Sequence, residues 1–356
     1  MELKTYVLEL INRYEGLETQ DIVKALYQSE FGCGHLISDR EKGLNWLIDE
    51  AKTCSLPENG VLPPLAEPLF GPYVRVHLIR LPEIGLSPET LFELFALSAE
   101  ENAGDMDNFK NTLKELEALI VSKNLPIDPK DAKAFLDKYI ESGCPATHHS
   151  KAVNEKYHPA YRVIKKKLAL YIDVFAAIDR LLAKKEQVNI AIEGGSASGK
   201  STLGELLQKV YDCNLFHMDD YFLQLHQRTL ERFAQPGGNV DRERFKEEVL
   251  DNLKTGEAFS YRPFDCSTMT VSDPVDVSPK RLNVIEGAYS CHPELFDAYD
   301  LAVYLNIDEK TQADRILKRN GFDMQQRFLN EWIPLEKIYF EHFDIRNKCD
   351  IVINIE

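Results

Sequence analysis

Several features that mark common protein classes are missing from this chain of 356 residues. The seven cysteines are odd in number and include no C-x-x-C pair, which favours a reducing compartment over a disulfide framework. No apolar run reaches the length of a membrane span. The first residues also lack the basic and then apolar pattern of a signal peptide. We therefore expect a cytoplasmic protein without a membrane partner.

Acidic residues outnumber basic ones, with 58 Asp and Glu against 42 Lys and Arg. The formal net charge is −16, which argues against a nucleic-acid partner, although a local basic cleft stays open. A hydrophobic fraction of 44% and a charged fraction of 28% are typical of a globular protein. The chain is long enough for two domains, and it contains no internal repeat or low-complexity tract.

The most informative segment is a glycine loop. Gly194, Gly199, Lys200 and Ser201 fill the fixed positions of the G-x-x-x-x-G-K-[ST] motif, whose backbone and lysine hold phosphates. The β-branched run at 188–192 precedes the loop and predicts a buried strand, while apolar residues at helical spacing follow it. We expect ATP as cofactor. The predicted nucleotide-binding residues are Gly194, Gly195, Ser196, Ala197, Ser198, Gly199, Lys200, Ser201 and Thr202.

A domain of α/β class is predicted for residues 186–356. Short apolar runs alternate there with helical segments, which indicates a doubly wound five-stranded parallel sheet. The runs are 188–192, 215–218, 282–285, 301–305 and 351–355. Active sites of such sheets lie at the carboxyl ends of the strands. Gly194, Asp219 and Glu286 each follow such an end, so we expect them to lie close together.

Residues 1–185 are predicted to form a mainly α-helical domain of unknown role. Helices are expected at 88–102, 106–122 and 129–141, the last one starting at an Asp-Pro cap. The segment 74–79 fits either a strand or the start of a helix. A long amphipathic stretch from 161 to 184 leads to the expected domain boundary at about 185.

Two polar clusters in this first domain leave three interpretations open. Cys33 and His35 with Cys144, His148 and His149 offer soft metal ligands, but their spacing matches no standard zinc pattern. His148, His149 and Arg162 would alternatively bind a small polar or anionic ligand in a loop pocket. The third interpretation is a structural cluster whose polar groups satisfy one another between helices.

The glycine loop also indicates which reaction the domain would catalyse. A bound triphosphate needs Mg²⁺, because catalysis of phosphoryl transfer is mostly positioning and charge neutralisation. Ser201 is the expected metal-contacting hydroxyl and Glu286 its acidic partner. Asp219 or its neighbour Asp220 would accept the proton of an attacking hydroxyl. Adjacent residues at a strand end point in opposite directions, so only one of the two should face the cleft.

These motifs resemble the uridine kinase and phosphoribulokinase superfamily of P-loop kinases. The similarity rests on the glycine loop, on His-Met-Asp-Asp-Tyr-Phe at 217–222 and on Ile-Glu-Gly at 285–287, and it covers about 188–356. It implies that Asp219 is the catalytic base and that Lys200 holds the phosphates. It also implies a helical lid at 313–321, whose Arg315 and Arg319 share one face and would stabilise charge on the transferred group.

The resemblance further implies acceptor contacts. Asp241, in Asn-Val-Asp, matches the ribose-binding aspartate, and Tyr261 matches a base-contacting tyrosine. Cys266 stands where uridine kinases commonly have a histidine, which puts uridine itself in doubt. Arg262 hints at a more anionic acceptor.

The leading hypothesis is an ATP- and Mg²⁺-dependent kinase that phosphorylates a hydroxyl of a small nucleoside- or sugar-like metabolite. A second hypothesis is an ATP-binding sensor whose helical domain binds a partner or effector. A third is a separate enzyme fused to the kinase. The sequence leaves a homo-oligomer open.

Overall fold

The computed structural model describes residues 2–32, 39–101 and 104–355. The chain divides into two compact units, Met1–Ala176 and Ala177–Glu356. The domain boundary near residue 185 stays a prediction. Among the described residues, no helix combines the length and the apolar character that crossing a membrane requires.

Helices dominate the first unit. The helices that start at residues 88, 106 and 129 confirm the three predicted helices. Asp128 caps the third of them by accepting hydrogen bonds from the Lys130 and Asp131 N–H groups. The helices before the unit division are α1 Leu3–Arg13, α2 Thr19–Phe31, α3 Arg40–Thr53, α4 Leu81–Ile84, α5 Pro88–Glu100, α6 Met106–Val121, α7 Pro129–Glu141, α8 Lys151–Tyr157 and α9 Lys166–Ala169. The division itself falls within α10, Ile172–Leu182.

A three-stranded antiparallel sheet accompanies these helices, in the order β1 Ala66–Pro68, β2 Tyr73–His77 and β3 Tyr161–Lys165. For 74–79 the sequence left a strand or the start of a helix open. The structure shows strand β2, which leads directly into a 3₁₀ turn at Leu78–Arg80. The prediction of a single amphipathic stretch over 161–184 is wrong. Its first residues form β3 because Val163 and Ile164 are buried in the strand that pairs with β2.

The core of the first unit contains apolar side chains of α1, α2, α6 and α7. Beside it lies an ionic group that includes Glu67 on β1, which is 0% exposed, and Arg75 on β2, which is 2% exposed. Arg75 Nη1 lies 3.2 Å from one Glu67 oxygen, and His77 Nε2 lies 3.1 Å from the other. Tyr14 also donates its hydroxyl to Glu67. These contacts compensate the cost of burying the carboxylate.

The second unit is built on a five-stranded parallel sheet, and it confirms all five predicted strands. The strands are β4 Val188–Gly194, β5 Cys213–His217, β10 Leu282–Glu286, β11 Leu301–Ile307 and β12 Ile351–Ile355, and their order is β12-β11-β4-β10-β5. Two small antiparallel pairs, β6 Phe259–Tyr261 with β9 Val275–Val277 and β7 Phe264–Asp265 with β8 Thr270–Val271, lie outside this sheet.

Helices connect these strands. They are α11 Lys200–Val210, α12 Leu230–Phe233, α13 Arg242–Phe245, α14 Asp251–Leu253, α15 Pro293–Phe296, α16 Glu309–Arg327, α17 Ile333–Phe343 and α18 Ile345–Lys348, with wider π-helical turns at Lys246–Leu250 and Phe328–Trp332. The parallel register pairs Glu286 at the end of β10 with Ile192 on β4 and with His217 on β5. The glycine loop and the segments that follow β5 and β10 therefore share one edge of the sheet.

Candidate active site

The phosphate loop connects β4 to α11. Gly194 has φ +148°, and a Cβ placed there would lie 2.5 Å from the carbonyl oxygen of Leu305 on β11. A side chain is therefore excluded at the point where the chain leaves the sheet. Gly199 caps α11 with φ +98°, and a Cβ there would enter open space. Space is therefore open beside the N-terminus of α11, where free N–H groups favour an anion.

Lys200 supplies the positive charge of the loop. Its side chain is largely buried, and its Nζ donates a 3.0 Å hydrogen bond to the Gly195 carbonyl. The carboxylates of Glu193, Asp219 and Glu336 also interact electrostatically with this ammonium group. This placement fits a phosphate chain between Lys200 and the α11 N-terminus.

Glu193 is hydrogen-bonded to the loop and to the segments that pack against it, a role that was not predicted from the sequence. Its carboxylate is 0% exposed and accepts hydrogen bonds from the N–H groups of Gly194, Tyr289 and Cys291 and from the Tyr339 hydroxyl. Burial raises the pKa of Glu193 to about 7. These four donors connect the loop, the segment after β10 and α17 through one side chain.

A second carboxylate, Glu336 on α17, contacts the loop directly. It accepts hydrogen bonds from the backbone N–H of Ser196, at 3.0 Å, and from the Ser196 hydroxyl. Burial raises the pKa of Glu336 above its usual range. Glu336 was not among the site residues predicted from the sequence.

Glu286 and His217 form an ion pair at the strand ends. Glu286 is 5% exposed, and its Oε1 lies 2.6 Å from His217 Nδ1. The hydrogen bond to Glu286 raises the pKa of His217. His217 was part of the quoted motif without a role, and its contact depends on the β5–β10 register.

Asp219 lies in the 3₁₀ turn Met218–Tyr221 that follows β5. Its side chain lines the same cleft as Lys200 and Glu286, whereas Asp220 does not. Although solvent reaches the side chain, desolvation by the cleft walls raises the pKa of Asp219. The Lys200 charge opposes that rise, and the Glu286 charge adds to it.

The cleft itself has a volume of about 1030 Å³. It is lined by loop residues, by Asp219 and Glu286, and by Arg315 and Arg319 of α16. Arg315 also donates a 3.3 Å hydrogen bond to the Ala197 carbonyl. Helix α16 breaks at Gly321, where φ is +79° and ψ is 175°. Positive side chains from this helix thus face the space beside the phosphate loop.

Three residues predicted to contact the acceptor do not line this cleft. Asp241 is 2% exposed, caps α13 through the Arg244 N–H and accepts a hydrogen bond from Gln227. Tyr261 is buried in the core, and Arg262 lies at a separate surface depression. Contact between these residues and an acceptor stays a prediction.

Other side chains reach the cleft without having been singled out as cleft residues by the sequence analysis. They include the aromatic residues Phe222, Phe233, Tyr289, Phe328 and Trp332, together with Arg228 and Arg327. Cys266, where a histidine was expected, lines it too. Part of the cleft lining is therefore aromatic and basic.

The polar clusters of the first unit are placed as follows. Cys33 and His35 lie outside the described residues. Cys144 is buried in the helical core, and His148 is exposed. His149 pairs with Asp21 at 3.1 Å, and Arg162 pairs with Glu50 at 2.7 Å. Over residues 2–32, 39–101 and 104–355, no three His, Cys, Asp or Glu side chains are grouped so that they could hold a metal.

Mg²⁺ would still find suitable ligands in the cleft, because it prefers oxygen and takes only one or two protein ligands beside phosphates and water. Glu286 and Asp219 offer carboxylates, and Ser201 offers a hydroxyl at the start of α11. The donor set therefore fits a magnesium ion held mainly by a bound nucleotide.

No protein-family model matches the chain, and no curated protein matches it significantly. Solved structures do. A protein from Bacillus stearothermophilus described as a possible uridine kinase is 23% identical, with a TM-score of 0.41, over 52% of this chain and 99% of its own. A candidate fructose transport system kinase from Silicibacter is 21% identical, with a TM-score of 0.42, over 49% and 94%.

A third structure is a candidate P-loop kinase with a circular permutation from Saccharomyces cerevisiae. It is 13% identical, with a TM-score of 0.40, over 53% of this chain and 98% of its own. The second unit itself is a doubly wound α/β domain, in which five parallel strands follow the order β12-β11-β4-β10-β5 and a glycine loop joins β4 to α11.

Proposed function

We propose that the second unit is an ATP- and Mg²⁺-dependent phosphotransferase that acts on a hydroxyl of a small metabolite. The observation that supports it best is the position of Asp219. This carboxylate lines one cleft together with Lys200 and Glu286. Phosphoryl transfer requires a cation that binds the phosphates, an acidic group that holds a metal ion and a base that takes the proton of the hydroxyl.

Each side chain has one role in this proposal. Lys200 and the loop N–H groups bind the phosphates, and Ser201 and Glu286 hold the metal. Bound ATP with Mg²⁺ would supply the phosphoryl group and neutralise its charge. Asp219 orients the acceptor hydroxyl and takes its proton at a carboxylate oxygen. Arg315 and Arg319 stabilise negative charge beside the loop. The acceptor class, nucleoside- or sugar-like, follows from the resemblance of the motifs.

An acceptor panel tests the activity. We expect the full chain to release ADP from ATP in proportion to one acceptor among nucleosides, sugars and their anionic derivatives, with a phosphorylated product seen by mass spectrometry. Lys200→Ala is the control, because removing the ammonium should abolish the signal. ATP binding without ADP release on any acceptor would contradict the proposal and favour a nucleotide-dependent sensor.

The pH dependence of kcat/KM provides a further prediction. Asp219 must be ionised to accept a proton, and its pKa in the folded chain is raised by desolvation. The acid limb of the profile should therefore lie above the value of about 3.9 that is usual for an aspartate. His217→Gln should move that limb higher still, because the positive ring opposes the rise. A limb that moves down in His217→Gln would contradict the assignment to Asp219.

A further inference from the structure

The first unit contains a cavity that the proposed phosphotransferase does not use. Its volume is about 260 Å³, slightly below the usual range for small-molecule sites. Four segments form it: the end of α1, the stretch between α3 and β1, the end of β2 with the turn after it, and the chain from the end of α8 to β3. Backbone hydrogen bonds fix its frame, from Glu58 N to Lys156 O and from Leu78 N to Ala160 O.

The floor of this cavity is polar. His77 and Tyr14 line it, and both contact the buried carboxylate of Glu67. Desolvation raises the pKa of Glu67, but the Arg75 guanidinium and the His77 hydrogen bond outweigh it and lower the pKa to about 2. Glu67 is therefore an anion whose two oxygens already have partners.

Glu67 faces two guanidinium groups, and of these the one of Arg13 lines the cavity. Besides Arg75, a second guanidinium approaches Glu67, because Arg13 Nη1 lies 3.6 Å from its Oε1. Two arginines thus face one carboxylate. Nη2 of Arg75 is buried and has no hydrogen-bond partner among the described residues. Arg13 keeps 37% of its side chain exposed and lines the cavity, so its remaining donors are accessible from there.

The walls are largely apolar. They are formed by Pro57, Val61, Leu62, Pro64, Ile79 and Pro159. Val61 is 64% and Leu62 46% exposed, so much of their apolar surface is in contact with water. An apolar ligand body against these walls would remove that surface from water.

We propose that this cavity binds a small monocarboxylate with an apolar body. The partly exposed guanidinium of Arg13 offers a positive charge to the cavity, and its fork suits a carboxylate. The carboxylate would lie between Arg13 and the His77 side of the floor, and the apolar body would lie against Val61 and Leu62. The inference is independent of the phosphotransferase, because its residues all belong to Met1–Ala176.

Phenylacetate is a suitable probe, and phenylacetamide is its neutral counterpart of the same shape. Isothermal titration of the full chain should show phenylacetate binding at least about tenfold more tightly than the amide. Arg13→Gln should remove that preference. Arg40→Gln is the matched control, because Arg40 pairs with Glu93 and Glu100 on the surface and should leave the preference intact.

A second variant covers the case in which Arg13→Gln does not fold. Val61→Asp places a carboxylate at an exposed position of the wall, and it should weaken phenylacetate binding about tenfold without affecting the thermal unfolding of the chain. Equal binding of acid and amide would overturn the proposal. So would an unchanged preference in Arg13→Gln, or no saturable binding of phenylacetate up to about 10 mM.

Discussion

Asp219→Asn is expected to lower the rate of phosphoryl transfer by about 10²–10⁴-fold, the range that a positioned general base contributes. Asparagine keeps the shape of the side chain but cannot accept the acceptor proton. Binding of ATP should change little, because the phosphates are held by Lys200 and the loop. The measurements are kcat with a productive acceptor and the Kd of a fluorescent ATP analogue.

Asp220→Asn is the matched control for this prediction. Asp220 is adjacent in sequence but does not line the cleft, and its backbone carbonyl already accepts a hydrogen bond from Arg244. Its replacement should leave kcat within a few-fold of the unchanged chain. Full turnover in Asp219→Asn, or an equal loss in both variants, would remove Asp219 from its role as base.

Arg75→Leu is expected to destabilise the first unit by about 3–5 kcal/mol, the usual cost of removing one partner of a buried ion pair. Glu67 would keep its hydrogen bonds to Tyr14 and His77 but lose the guanidinium that most lowers its pKa. Hydrogen exchange of the α1 and α2 amides should report the loss as a decrease in protection of roughly 10²–10⁴-fold.

The pH dependence of that loss follows from the same contact. The folded pKa of Glu67 lies at about 2, below the ordinary value of 4.5, so the stabilisation is fully present above about pH 4.5. It disappears as the pH falls towards 2. The difference between Arg75→Leu and the unchanged chain should therefore shrink in acid. The control Arg40→Leu, in an exposed pair, should cost at most about 1 kcal/mol. An equally small effect for Arg75→Leu would mean that the ion pair is not needed.

Much of the second unit could be predicted because its signals are local. The glycine loop is one contiguous motif, and each of the five strands is a short apolar run between helical segments. A parallel sheet then requires the segments after β5 and β10 to meet at one edge. The position of Glu286 near the phosphate loop follows from this rule without coordinates.

The first unit was less predictable because its polar contacts join distant parts of the chain. Tyr161–Lys165 has the composition of either an amphipathic helix or a strand, and only the β2 edge decides for the strand. Tyr14 and Glu67 are separated by 53 residues in sequence, and Asp21 and His149 by 128. No pattern in a single segment records such pairs.

The sequence by itself therefore determined the fold class of the second unit, and it located the glycine loop and the two aspartates that follow β5. Periodicity, caps and glycine positions suffice there, since they depend on neighbours a few residues away. Only the tertiary structure decided that Asp219 rather than Asp220 lines the cleft, that His217 pairs with Glu286, and that Arg75 and Arg13 flank Glu67. Those outcomes depend on strand register and on the direction of each side chain, which are set when distant segments pack together.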